Sequence, residues 1–454
     1  MAHAGRGITP PLSLRIYGRY VGGMLEWNEK PISIASRVLA DGRLVELVRP
    51  RDQKKTLLST SDEKGAELVE TLDADGERLV PIPASNSLIK NNAIVLPEGP
   101  EPYGDITSLV DEVERYFDRY VSLSSWFRQL AAYYVLFTWV YDAFEELPYL
   151  RLQADFGSGK TRALLVIGSL CYRAFFASGA STVSPIFHSL DTFRGTLILD
   201  EADFRFSDQT AELVKVLNNG HVRGFPVFRT AITAKREFDP RAFHVYGPKI
   251  IAMRRSFEDE ALESRFITEH LDRVQMRPDV PINLPAEQRV EAQTLRNKLL
   301  QYRFDHRSRL HADEALVDPT LSPRTNQILV PLLSIVPDES AREAIRMALR
   351  EHEQLHLSER ATSTAAEIAG ILIELMSERA GAPVSVSEVA ERLNVRYGAN
   401  FKRPITARFV GSQLRAQLGI ATYKSNGIYM VGATKERLTD LESRFGTLSS
   451  NNPA

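Results

Sequence analysis

The chain is almost without cysteine: Cys171 is the only one in 454 residues. That excludes an intramolecular disulfide and suits a reducing cytoplasm. Cys171 itself, near the end of a helical run, reads as a small core residue. Residues 1–18 lack the apolar core of a signal segment. Long hydrophobic runs are missing too. The most apolar one, residues 130–144 (LAAYYVLFTWVYDAF), is shorter than the roughly 20 residues a membrane span needs and contains Asp142. It is expected to be a buried helix. Charge of one sign is also lacking, since 56 basic and 58 acidic side chains leave a net charge of −2. Any hold on nucleic acid must therefore rest on local basic patches. Internal repeats and low-complexity tracts are absent. What remains has the composition of an ordinary globular chain, long enough for two to four domains and a sizeable core.

Periodicity divides the chain. Residues 1–100 show short apolar runs broken by Gly, Asp and Pro, and predict a β-rich domain. The charged break at 49–55 predicts a solvated turn, and the Asn, Pro and Gly punctuation over 86–100 a boundary. Residues 101–145 read as a helical lead-in. In residues 146–280, strands at 149–154, 175–178, 196–199 and 249–253 alternate with helices at 161–172, 183–193 (capped by Ser181) and 209–217. Such alternation predicts a mostly parallel sheet with right-handed crossovers. Residues 281–380 are helical, 381–446 form a last small unit, and 447–454 read as a disordered tail.

Between the first core strand and its helix lies Gly157-Ser158-Gly159-Lys160-Thr161. A helix N-terminus offers unpaired N–H groups, and glycines let that backbone wrap phosphates closely. In the strand–loop–helix setting the motif requires, it predicts a site for ATP. Asp155, Phe156, Gly157, Ser158, Gly159, Lys160, Thr161 and Arg162 would form the cradle. Lys160 would reach the β- and γ-phosphates, and the Thr161 hydroxyl would serve Mg²⁺. Ala154 stands where the motif usually has its first glycine, so the loop's entry departs from pattern. About forty residues on, Leu197-Ile198-Leu199 ends in Asp200-Glu201. A buried strand ending in two acids places carboxylates at the carboxyl edge of the sheet, beside the loop. Asp200 would hold the Mg²⁺ shell and Glu201 would polarise the attacking water. Asp203 reads as a solvated or capping acid.

After the strand at 249–253 comes Asp259-Glu260-Ala261-Leu262-Glu263-Ser264-Arg265-Phe266. Here the sequence resembles the AAA+ ATPases, whose segment after the fourth core strand ends in a similar Ala-Leu-x-Ser-Arg-Phe pattern. The resemblance implies that Arg265 is an arginine finger reaching the γ-phosphate of a neighbouring subunit. It implies a homo-oligomer, in its full form a hexameric ring. The bland alternative is a surface arginine paired with Glu260 or Glu263. The family's polar sensor would fall at Met253-Arg254-Arg255, where Arg254 is the substitute for the usual Asn or Thr.

Residues 225–232 and 241–246 read as two strands around a turn at 233–240. A hairpin inserted here resembles those of superfamily 3 and MCM-type helicases, which project into a ring channel and grip nucleic acid. The resemblance makes Arg223, Arg229, Lys235, Arg236 and Arg241 candidates for neutralising phosphates; a merely solvated hairpin is the alternative. The stretch from 150 to 266 looks like the helicase-like ATPases linked to primases in phages, plasmids and integrated elements. It does so through Asp200-Glu201-Ala202-Asp203, Asn218-Asn219-Gly220-His221-Val222-Arg223-Gly224 and Tyr246-Gly247-Pro248-Lys249. No primase carboxylate cluster stands out in residues 1–100, so a primase would be a partner. In the last unit, helices at 385–394 and 405–418 precede two short strands around Ser425-Asn426-Gly427, the order of a winged helix. Its DNA-contact candidates are Thr406, Arg408, Ser412, Gln413, Arg415 and Lys424, with Lys402 and Arg403 upstream; protein contact is the alternative use. The expected fold is thus an α/β P-loop (AAA+-like) core with a β-rich N-terminal domain, a helical segment and a C-terminal winged helix.

Overall fold

The computed structural model describes residues 19–21, 24–26, 31–62, 65–155, 157–200, 208–232, 238–254, 256–257, 259–275, 277–361, 364–397 and 404–445. Glu201, Phe156, Asp203, Lys235, Arg236, Arg255, Lys402, Arg403 and the expected tail lie outside them. The chain divides between Arg342 and Glu343 into two units. Among the described residues no helix is long and apolar enough to cross a membrane.

The first unit begins with a ribbon of β1 (Arg19–Val21) and β2 (Met24–Glu26). Next come β3 (Ile32–Ile34), β4 (Ser36–Val38), β5 (Leu44–Val48), β6 (Leu57–Asp62), β7 (Gly65–Val69), β8 (Leu72–Ala74) and β9 (Glu77–Pro81). They form two sheets, ordered β4-β5-β6-β7 and β3-β9-β8, around Leu39, Val45, Leu58 and Leu79. Residues in the stretch 86–100, expected to be a boundary, also contact the region that follows. After the short helix α1 (Ser87–Lys90), Ile94 bridges Phe175 of the next sheet, and the Glu98 N–H donates to Asn297 Oδ1 at 2.8 Å. Glu46 of β5 adds a buried tie. It accepts from Tyr172 Oη at 2.7 Å, Arg173 at 3.0 Å and Arg303 at 2.6 Å.

Two capped helices follow: α2 (Ile106–Tyr120), where Asp105 accepts from the Ser108 N–H, and α3 (Ser125–Val140), capped by Ser124. α3 is apolar all round and is buried from Leu130 to its end, as such a helix must be. Asp142, just beyond it, is held by Arg303 at 2.7 Å and Arg307 at 3.2 Å. Burial alone would raise its carboxyl; the two guanidiniums outweigh that and hold it below the usual range.

The core sheet is built from β10 (Tyr149–Gln153), α4 (Lys160–Gly168), β11 (Phe175–Ser178), α5 (Val183–Phe193), β12 (Leu197–Asp200), α6 (Asp208–Asn219), the hairpin β13 (Val227–Ile232) and β14 (Phe238–Phe243), β15 (Lys249–Met253), α7 (Glu260–Glu263) and β16 (Phe266–His270). Its order is β11-β12-β15-β10-β16, with every pair parallel. β10 is thus central, and the loops leaving β10, β12 and β15 gather at one edge. Details differ from the sequence reading. The residue before α5 is Thr182, while Ser181 Oγ accepts from the Ser178 N–H at 3.4 Å. α4 ends at Gly168, where the helix lies against Ile198 and Phe176 too closely to admit a Cβ without movement. The second strand begins at Phe238, not 241, and Pro240 pairs across from Thr230 inside β14. A two-stranded ribbon has free edges, where proline's missing N–H is tolerated.

Helices α8 (Ala286–His306), α9 (Pro323–Leu333) and α10 (Glu339–Ala361) follow, with the division between units falling inside α10. The second unit continues with α11 (Thr364–Glu378), β17 (Val384–Ser385), α12 (Val386–Tyr397), α13 (Ala407–Ala416), β18 (Thr422–Ser425), β19 (Ile428–Val431) and α14 (Lys435–Phe445). Its sheet is ordered β17-β19-β18. Val389, Leu393, Val410 and Leu414 meet Leu372, Leu375 and Val431 in a core of its own. Asn426 and Gly427 both take positive φ, +48° and +83°, as a tight two-residue turn requires. Sequence reasoning did not mark α14 or β17 as elements.

Candidate functional site

β10 is a fully enclosed strand, so its carboxyl end is a fixed platform. Ala154 continues it: the Ala154 N–H reaches Met253 O of β15 at 3.4 Å, and its φ is not positive. The absent glycine is therefore no loss, because the chain is still ladder-like there. The turn comes later, at Gly157 and Gly159 (φ +75° and +86°), where a side chain would strain the backbone. Open space lies where their Cβ atoms would be, so the loop backbone is free to face a ligand. Gly159 caps α4, and Lys160 is its first residue. Lys160 Nζ lies over the loop, donating to Ala154 O at 2.6 Å and Asp155 O at 2.5 Å. Ser158 Oγ donates to Asp155 O at 2.8 Å.

Across the loop, Thr161 Oγ1 donates to Asp200 Oδ2 at 2.7 Å. Residues 39 apart in sequence thus meet at the carboxyl edge because β12 lies one strand beyond β15 from β10. A hydroxyl and a carboxylate at a helix N-terminus fit a hard divalent cation with a phosphate group, since both ligands are oxygen. Arg254 leaves β15 at the same edge, its carbonyl accepting from Gln153 Nε2 at 3.2 Å. The Arg162 side chain is engaged elsewhere. Its guanidinium donates to the carbonyls of Pro281 and Ile282 and ties the approach to α8 onto α4.

Arg265 lies at the opposite edge. It immediately precedes β16, and its carbonyl accepts from the Tyr149 N–H at the start of β10. The length of β10, about 15 Å at the usual strand rise, separates it from its own glycine loop. Arg265 is 7% exposed, and its guanidinium donates to Asn218 O at 3.1 Å and to Asn218 Oδ1. Asn218 in turn donates to Asp259 Oδ2 at 2.8 Å. Arg265 is therefore seated on the end of α6. Glu263, a suggested partner for it, instead pairs with Arg151 in the middle of β10, a fully buried contact on the arginine's side. That pair links the loop-bearing strand to α7. Arg324 stands nearby, donating to Ser264 Oγ at 3.2 Å. Burial, with Arg324 adding to it, pulls the Arg265 guanidinium below its ordinary value. Burial and the Arg265 charge push His221 down to about 4.

The hairpin rises from this same amino edge. One foot, residues 218–224, runs from the last turn of α6, which ends at Asn219; the other, residues 244–248, enters β15. Lys249 fastens the two. Its Nζ is wholly buried and donates to Gly220 O, Val245 O and Gly247 O at 3.2, 3.0 and 2.8 Å. Burial holds its ammonium well below the ordinary value. Arg223 is part of this footing, donating to Asp142 O at 2.6 Å and Phe144 O at 3.0 Å. Arg229 pairs with Glu212 at 3.3 Å and lies over the Phe187 ring, while Arg241 pairs with Asp239 at 3.1 Å. Lys235 and Arg236 lie outside the described residues. Phe225 and Phe228 are exposed. Asn218, Lys249, Asp259, Arg151 and Glu263 were not marked as functional from sequence. The strings around Asn218 and Lys249 were the available signal.

In the second unit, Arg408, Arg415 and Lys424 are exposed on α13 and β18. The Thr406 side chain is spent as the α13 cap, accepting from the Phe409 N–H.

No family model and no curated protein matches the chain. Among solved structures it is similar to the apo C-terminal region of NrS-1, at 10% identity over 86% of this chain and 96% of that one, with a TM-score of 0.38. It is also similar to JCV helicase, at 13% identity over 57% and 64%, TM-score 0.23. Drosophila ORC bound to DNA matches at 12% over 75% and 94%, TM-score 0.19. Likenesses this slight carry no argument, and function is read from the residues themselves.

Proposed function

We propose that this chain is an ATP- and Mg²⁺-dependent nucleic-acid motor of the AAA+ kind: a ring-forming, hexameric DNA helicase or translocase serving replication of a mobile element. The observation that carries the reading is the opposition of the two sheet edges. Thr161 and Asp200 meet at 2.7 Å at one edge, and Arg265 is fixed to the hairpin footing at the other. An arginine so far from its own loop can serve only a neighbour's, which favours sites completed between subunits. On this reading Lys160 holds the β- and γ-phosphates, Thr161 and Asp200 serve Mg²⁺, and Glu201 orients the attacking water. Arg265 supplies charge in trans. Asn218 would then relay its engagement to the hairpin, whose Arg229, Lys235 and Arg236 grip the DNA backbone. The three strands and the helices of the second unit are read as a winged helix that adds a DNA hold through Arg408, Arg415 and Lys424. A primase would be supplied by a partner protein.

One observation favours a second reading, a DNA-bound ATPase switch: Arg265 is already seated on Asn218, so ATP could control assembly without movement along DNA. ATPase activity with and without DNA, followed by strand displacement, separates the two. The motor reading expects DNA-stimulated hydrolysis with displacement. Stimulation without displacement supports the switch, and hydrolysis indifferent to DNA contradicts both.

A further inference from the structure

Within the second unit, α13 and the β18–β19 hairpin enclose a groove of about 770 Å³. Resting on the DNA-acting reading above, we propose that this groove binds an unpaired nucleotide of a single strand: phosphate between Arg408 and Arg415, base on the ring of Tyr429.

The helix wall comes first. Arg408, Gly411 and Arg415 line the groove at spacings of three and four, which puts them on one face of α13. Two cations thus flank a position with no side chain. A glycine inside a helix is less favourable than alanine, and the structure shows what it leaves open. A Cβ at Gly411 would stand 3.4 Å from Arg415 Nη1 and 3.6 Å from Val386, so any longer side chain would fill the floor. Arg415 Nη1 donates to Thr422 Oγ1 of β18 at 2.6 Å, which sets its guanidinium across the groove.

The strand wall supplies the ring. Val431 is buried in the core, and Tyr429, two residues before it, shares that face but lies beyond the core's edge. It is 57% exposed, with Lys424 directly across the ladder and its Nζ 6.0 Å from the ring centroid. Ile428, which also lines the groove, is exposed as well. Among the described residues, no carboxylate lines the groove.

Cations, an exposed ring and a concave shape together fit a single strand, whose bases have free faces to stack. A duplex keeps its bases stacked on one another and offers only their edges and the backbone. The volume falls within the usual range of small-ligand pockets, about 300–1,000 Å³, and admits a nucleotide or two. An apolar protein segment would use Ile428 and Val386 but leave Arg408 and Arg415 facing no charge, so nucleic acid is the better match.

The test is fluorescence anisotropy of the full chain with a labelled thymidine 20-mer and with a 20-base-pair duplex, at several salt concentrations. Tyr429→Ala should weaken single-strand binding by about 5- to 150-fold, the range for one lost stacking contact. Tyr429→Phe should restore it, and duplex binding should not change. Gly411→Leu should give the same selective loss by filling the floor. Arg415→Gln should weaken the single strand and reduce its salt slope by about 0.7. Unchanged unfolding midpoints confirm that the exposed site, not the core, was altered. If wild type binds the single strand but Tyr429→Ala and Gly411→Leu bind it equally well, the groove assignment fails and the motor reading stands. Equal losses on both DNAs make the groove a duplex reader and overturn the proposal. If wild type binds neither DNA, both readings fall.

Discussion

The two edges of the core sheet differ in how they are built. The carboxyl edge is assembled from short contiguous strings: five residues of the glycine loop and the end of one apolar strand. The amino edge is assembled from pairs distant in sequence. Asn218 meets Asp259 across 41 residues and Arg265 across 47. On the proposed reading the first edge would hold a nucleotide with parts a single motif provides. The second joins a buried arginine to a hairpin with parts that have meaning only once the sheet is formed. A phosphate-loop motif can therefore be read locally, whereas its link to the hairpin would be a property of tertiary contacts.

Substitutions can break the comparison at either edge. The largest effect is expected at the amino edge. Arg265→Ala should keep ATP binding and lower kcat by about 10³- to 10⁵-fold, the range for an arginine finger, as measured by steady-state hydrolysis and nucleotide titration. An arginine that served only to seat α6 would instead leave kcat intact and lower stability. Lys160→Ala, at the carboxyl edge, should lower kcat by about 10²- to 10³-fold and weaken nucleotide binding, by analogy with removing one preorganised donor.

The Arg151–Glu263 pair connects the edges, and its loss should register first as stability. Glu263→Gln leaves a buried guanidinium without its counter-charge. The expected cost is about 3–5 kcal/mol in denaturant unfolding, and replacing both residues by apolar ones of similar volume should recover most of it. A cost below about 1 kcal/mol would mean the pair does not hold α7 to β10.

The smallest effect is on pH dependence. His221 is held near 4 in the fold against an ordinary 6.5, with Arg265, Lys249 and Arg324 as its charged neighbours. Its unfolded form gains a proton first on acidification. The stability from keeping it neutral is therefore full above pH 6.5 and is lost as pH falls towards 4. Thermal midpoints at pH 7.5 and 5 should diverge less in His221→Gln than in wild type.

How much was legible follows the same division. The order of strands and helices from 149 to 253 could be followed, because apolar runs and turn residues mark them. The apolar helix α3 was legible as buried, and Asp142 within that run found two arginines. The hairpin's register was not, since Pro240 reads as a turn residue and only the free edge of a ribbon lets it sit in a strand. Arg162 follows the loop and so reads as a phosphate ligand, but a stretch 119 residues on offers its guanidinium carbonyls. The 86–100 punctuation reads as a boundary, yet Glu46, Tyr172, Arg173 and Arg303 join the flanking regions in one buried ion network. No local pattern announces a carboxylate whose partners lie 126 to 257 residues away.

The central claim is that each active site takes its arginine from a neighbour. Mixing Lys160→Ala subunits with Arg265→Ala subunits tests it most directly, because each inactive chain retains what the other lacks. The mixture should hydrolyse ATP well above either protein alone, with a maximum near equal amounts. A mixture no more active than its components, or an Arg265→Ala protein that is fully active alone, would contradict it.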